Sequence, residues 1–184
     1  HSDRTSEDIT VDLSDGKTAT INITGINYTA SAMTSGLPVL YLNVDEQYGS
    51  IYAMNNSPKH DAKCYGDMRL EITDEMAEAK GWDSIYTSVG NDKDTEKPGT
   101  MELKGRGNSS WSQAIRDNGP RPYQLKLEKK LNLMGMGSAK TYTLLKSDQI
   151  QSTNKTCLDM SIDMGMKYTP QSEFVDVYLN GDYI

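Results

Sequence analysis

The chain is poor in the residues that most often carry chemistry. Two histidines, His1 and His60, occur in 184 residues. That leaves next to no room for a Ser-His-Asp triad or a multi-histidine zinc site. Two cysteines, Cys64 and Cys157, stand far apart and make no disulfide scaffold, so two buried thiols are expected rather than a bridge. His60, Asp61 and Cys64 lie close together, but no second cluster completes a ligand set, and no metal-holding residue is assigned. Positive charge is also short: Lys and Arg total 19 against 26 Asp and Glu, for a net charge of -7. A general binder of nucleic acid or anionic membrane needs a basic footprint, so neither partner is expected. No apolar run approaches the ~18 residues of a membrane span. The opening HSDRT shows no leader pattern and says nothing about location.

What remains is a polar chain, 36% hydrophobic with a mean hydropathy of -0.65, long enough for one domain with a real core. Ile9, Val11 and Leu13 alternate with polar residues, Asp15-Gly16 makes a turn, and Ala19, Ile21 and Ile23 alternate again. This predicts a β hairpin followed by a small, polar linker, Thr29 to Gly36, so residues 1–36 form an accessory unit. "LPVLYLNVD", Leu37 to Asp45, reads as a buried strand, and Asn55 to Asp61 as loop. Met68, Leu70 and Ile72 alternate in a further strand, and Asp74 can cap a short helix ending at Gly81. Residues 91–99 are a charged loop. Met101 to Lys104, Tyr123 to Leu127 and Lys140 to Lys146 read as strands, with Tyr123, Leu125 and Leu127 on one face. Ser152 can cap a helix to Met164, with Leu158 and Ile162 on its inner face and Gly165 as its stop. Val175, Val177 and Leu179 alternate in a last strand that meets Asn180-Gly181, a strong hairpin signal. Only Asp182, Tyr183 and Ile184 follow, about half a return strand, so the sequence predicts the truncated first part of a larger domain.

One region runs against the acidic balance. Between residues 102 and 130, Lys104, Arg106, Arg116, Arg121, Lys126, Lys129 and Lys130 stand against Glu102, Asp117 and Glu128. A local positive surface in an acidic chain suits an anionic ligand, although a solvated strand face has the same composition. The region opens on "LKGRGNSSWSQ", Leu103 to Gln113. Gly105 and Gly107 permit close backbone approach, successive N–H groups can form an anion nest, and Arg106 adds a fork of donors. The spacing is neither that of a Walker loop nor of a dinucleotide fingerprint. The same residues serve equally as a tight turn between strands, with Asn108 and Ser109 satisfying backbone groups and Trp111 plugging the core. Lys126, opposite the apolar face of its strand, has the setting of a kinase-type phosphate lysine, with Asp159 or Asp163 as the carboxylate that would orient it. Asn55-Asn-Ser and four similar triplets match the glycosylation pattern, as chance alone provides in an Asn- and Thr-rich chain.

Taken in order, "LPVLYLNVD", "LKGRGNSSW", "RPYQLKLEKK", "LMGM" and "MGMKYTPQSEFVDVYLNGDY" resemble the CotH kinase family, the spore-coat-protein-H-like proteins, from about Leu37 to Ile184. The resemblance implies an α+β, mostly antiparallel domain with an atypical protein-kinase-like N-terminal lobe. It implies ATP with Mg2+ or Mn2+ as cofactor, and phosphorylation of Ser or Thr in a protein substrate. Arg106, Asn108, Ser109, Arg121 and Lys126 would lie near the phosphates, and the catalytic aspartates in the remainder of the domain, beyond Ile184. Secretion, or a place on a cell or spore surface, is also implied. The chain departs from the family pattern at Thr153, where an arginine is expected, and at Tyr142, where a tryptophan is. A non-catalytic surface or cellulosome-associated module that binds protein or carbohydrate is therefore the second expectation.

Overall fold

The structure, a computed structural model, describes residues 4–12, 18–26, 35–90, 99–119, 121–145 and 153–184. The expected turn at Asp15-Gly16, residues 29–34 of the linker, residues 91–98 of the charged loop and the cap at Ser152 lie outside them. Two strands, β1 (Arg4–Asp12) and β2 (Thr18–Ile26), form the expected antiparallel hairpin, with Ile9 opposite Ile21.

The rest of the described chain is α+β, built on one mixed eight-stranded sheet. Its strands are β3 (Val39–Val44), β4 (Lys63–Glu71), β5 (Ile85–Thr87), β6 (Met101–Gly105), β7 (Tyr123–Leu131), β8 (Ala139–Leu144), β9 (Asp176–Leu179) and β10 (Asp182–Tyr183). They are ordered β10-β9-β3-β4-β6-β7-β8, with β5 beside β4. Every neighbouring pair runs antiparallel except β3 with β9. Burial alternates with period two along β4, β6 and the first half of β7, whereas β3 is buried on both faces, Val39 and Tyr41 included. Leu40 and Leu42 stand opposite Leu70 and Met68, and Met101 and Leu103 opposite Leu127 and Leu125, and all are buried. The intervening Asp67, Arg69 and Lys126 face solvent. Each such large apolar side chain contributes about 1.5–3 kcal/mol by leaving water, so one continuous inner face dominates the stability.

Four helices occur among the described residues: α1 (Ile51–Asn56), α2 (Asp74–Lys80), α3 (Ser109–Arg116) and α4 (Thr153–Asp163). The first three send Met54, Ala77 and Trp111 into the core. The sequence reading of Asn55 to Asp61 as loop is corrected at its start. Ser50 caps α1, its Oγ accepting from the Ala53 N–H at 3.3 Å, and the helix runs through Asn55 and Asn56. The cap of α2 is Thr73 rather than Asp74. Thr73 Oγ1 accepts from the Met76 N–H at 3.3 Å, while Asp74 favours the helix N-terminus by its charge. Gly81 ends this helix in the left-handed region, as expected.

Two further expectations fail. α4 buries no residue: Ile162 is 40% exposed and Leu158 only half-buried, so the pair makes no inner face. The tie recorded for this helix is polar, from Lys155 to the Ser172 carbonyl and to Glu173. Of the two free thiols only Cys64 is buried, its pKa pushed up to about 11 by burial and then by the Glu46 charge, while Cys157 is exposed.

Candidate functional site

Gly105 to Trp111 does not turn one strand into the next. It is a strand-to-helix junction built around the tryptophan. Gly105 is the last residue of β6, and a Cβ there would collide with the Trp111 ring. Gly107 turns the chain at φ +95°, and α3 starts two residues later. Trp111 is fully buried, its Nε1 donates to the Ser57 carbonyl at 2.8 Å, and its ring meets Tyr123 edge-on at 6.3 Å. Asn108 makes no capping hydrogen bond from its side chain, contrary to its expected role. Ser109 opens α3, and the Arg106 N–H donates to the Pro122 carbonyl at 3.1 Å.

That junction sets up a second one. α3 closes in a Schellman arrangement: Asn118 takes φ +45°, its N–H bonds the Ile115 carbonyl at 3.3 Å, and the Gly119 N–H bonds the Ala114 carbonyl at 2.8 Å. Asparagine tolerates this left-handed conformation better than most residues. The Gly119 carbonyl then accepts from Arg121 Nη1 at 3.2 Å. Arg121 Nε donates at 2.8 Å to the carbonyl of Asn55, in the last turn of α1. Carbonyls of a last turn lack helical partners and carry the negative end of the helix dipole. Two helix ends thus converge on one guanidinium. Two backbone carbonyls orient the Arg121 charge, and among the described residues it has no carboxylate partner. A guanidinium has five N–H donors, and these bonds use two.

Asn55 is itself held. Its Oδ1 accepts from the Tyr123 hydroxyl at 2.8 Å, and Tyr123 is 4% exposed beneath Trp111. Burial pushes the Tyr123 phenol above its usual range, with the Arg121 charge and the Asn55 bond pulling the other way. The phenol therefore stays protonated at neutral pH and remains a donor.

Arg121 forms part of the wall of a cavity of about 600 Å3. Sites for small molecules run from about 300 to 1,000 Å3. The lining combines the polar Asn55, Asn118 and Arg121 with the apolar Leu144, Leu145, Phe174, Val175 and Ile184. Leu144 belongs to β8 and Tyr183 to β10, the two ends of the strand order, and both line the cavity. The sheet therefore coils until its free edges flank one space. Glu173 and Asp176 add carboxylates to the wall. Glu173 lies 3.6 Å from Lys155 Nζ, and Asp176 accepts from Ser35 Oγ and, at 3.2 Å, from the Tyr183 hydroxyl.

Of the five residues expected near phosphates, the structure brings Arg121 alone to this cavity. Lys126 is exposed on the opposite face of β7, across from Glu102 and Thr141. Its cross-strand neighbour Glu102 gives its carboxylate to Lys63 at 3.0 Å, and Asp159 is taken by Lys155 at 3.2 Å. Arg106, Asn108 and Ser109 lie at the start of α3 and do not line the cavity. Sequence reasoning missed Asn55, Asn118, Phe174 and the hydroxyl of Tyr123. Tyr123 was legible as a core residue, and its neighbour Arg121 as a cation, but nothing local ties either to Asn55, 66 and 68 positions away.

Among the described residues no group of three His, Cys, Asp or Glu side chains is placed to hold a metal ion. Comparison of the chain with protein families, with curated proteins and with solved structures finds no match to any of them.

Proposed function

We propose that this chain is the nucleotide-binding part of a CotH-like protein kinase, secreted or held on a cell or spore surface, and that ATP binds in the cavity beside Arg121. The observation that carries the reading is Arg121 itself. Its guanidinium is fixed by the Asn55 carbonyl at the end of α1 and by the Gly119 carbonyl just past α3, has no carboxylate partner among the described residues, and stands in the wall of a space of nucleotide size. A planar fork so held matches phosphate oxygens. The apolar lining residues Leu144, Leu145 and Phe174 suit a purine ring. Phosphoryl transfer depends chiefly on positioning and charge stabilisation. In that reaction the γ-phosphoryl group passes to a Ser or Thr hydroxyl, the bond to the β–γ bridging oxygen breaks, ADP leaves, and a carboxylate base takes the hydroxyl proton. No residue of this chain is assigned as that base. The divalent metal that accompanies ATP would neutralise phosphate charge, but the described residues bring no ligand set together, so no step is routed through it here.

Thr153, exposed at the start of α4 where the family carries an arginine, favours a second reading as a non-catalytic binding module. Thermal unfolding of this chain with Mg-ATP and Mn-ATP, together with transfer of labelled phosphate by the complete domain, separates the two. The kinase reading predicts a rise of about 5–10 °C at a hundredfold excess over Kd and label on Ser or Thr. No shift at millimolar ATP sinks the nucleotide reading, and a shift without label leaves a nucleotide-binding module.

A further inference from the structure

We infer that the Tyr123 hydroxyl, acting through Asn55, is a positioning device for Arg121: it sets the direction in which the guanidinium meets an anion in the cavity. The inference rests on the reading of that cavity as a phosphate-binding site.

Three residues close a ring. Arg121 and Tyr123 are two positions apart at the start of β7, and both reach the same residue on α1. Tyr123 bonds the side chain of Asn55 and Arg121 bonds its backbone carbonyl, each at 2.8 Å. The phenol is the fixed point of this ring. Its ring is buried, packed edge-on against Trp111, and anchored at the first residue of β7, opposite Gly105. Asn55 has no such anchorage of its own. α1 is six residues long and buries Met54 alone, and a helix this short holds its shape only through tertiary contacts. Buried Met54 and the Trp111 bond to the Ser57 carbonyl hold the residues on either side of Asn55, and the phenol bond tethers Asn55 itself. Without that tether the Asn55 carbonyl changes its direction toward Arg121, and one of the two bonds that set the guanidinium plane is weakened. Misplacement by a fraction of an ångström is enough to weaken a charge-assisted bond to phosphate.

The chemistry at position 55 fits this role. A neutral amide accepts from a neutral phenol and leaves the charge of Arg121 whole. An aspartate there would still accept from Tyr123 but would set a carboxylate beside the guanidinium and oppose an anionic ligand.

The test is calorimetric titration of the full chain with Mg-ATP and, separately, with adenosine. Tyr123→Phe removes one oxygen and keeps the ring under Trp111. It is expected to weaken Mg-ATP binding about tenfold and leave adenosine binding unchanged, a split that general destabilisation would not produce. Asn55→Asp, which keeps the acceptor, is expected to weaken Mg-ATP at least as much and carries the test if Tyr123→Phe does not fold. Arg121→Ala checks the underlying site and is expected to lose Mg-ATP binding. If Arg121→Ala loses ATP while Tyr123→Phe and Asn55→Asp bind it within twofold of wild type, the positioning role is overturned and the site stands. If Arg121→Ala binds ATP as wild type does, or the wild type binds none, the site and the inference fall together.

Discussion

Gly105 shows how much a single residue decides. Its φ is ordinary, so backbone freedom is not the reason for glycine there; the reason is Trp111, whose ring occupies the place of a Cβ. Gly105→Ala is therefore expected to destabilise the fold by about 1–3 kcal/mol in urea unfolding, the usual cost of overpacking. Trp111→Phe in the same chain should relieve part of it, so the double variant should be less destabilised than the sum of the two by at least about 0.5 kcal/mol. Strict additivity would contradict the packing account. At this scale the sequence was partly legible. Trp111 as a core plug and Gly107 as a turn follow from residue type alone. Arg121 was visible as a cation, but its two carbonyl partners come from the ends of α1 and α3, which no local pattern brings together.

Strands were easier to read than helices. β4, β6, β7 and β9 announce themselves by alternation along the sequence, and β3 by an unbroken apolar run that is buried on both faces of the sheet. α1 and α3 are six and eight residues long, too short for a period of 3.6 to show, and α3 begins inside a stretch of Asn and Ser that reads as turn. α4 was found, but its apolar residues pointed to an inner face it does not have. The β9–β10 hairpin was legible from Asn180-Gly181, where both residues take positive φ. The structure adds a second duty for Asn180. Its Oδ1 accepts from the Val44 N–H at 2.6 Å and its Nδ2 donates to the Val44 carbonyl at 3.0 Å, so the side chain prolongs the parallel β3–β9 pairing by one step. Asn180→Gly keeps the turn and removes these bonds. It is expected to cost about 1–3 kcal/mol in chemical denaturation. A loss below about 0.3 kcal/mol would show that the two bonds contribute nothing net.

The cavity belongs to the whole molecule. Its walls come from α1, the end of α3, both terminal strands of the sheet order and the segment before β9, and it exists because the sheet coils until β8 and β10 flank the same space. Strand content and the α+β class were legible, but coiling of this kind depends on contacts between distant elements. Lys126 illustrates the consequence: a basic residue in a basic segment looked like a partner of Arg121, yet alternation sends it to the other face of the same strand. The central claim is that nucleotide phosphates meet Arg121 inside the cavity. Amide chemical-shift mapping during a Mg-ATP titration tests it most directly. The account predicts that the largest shifts cluster at Asn118 to Tyr123, Thr143 to Leu145 and Glu173 to Val177. Shifts centred instead on Glu102, Lys104 and Lys126, across the open face of the sheet, would contradict it.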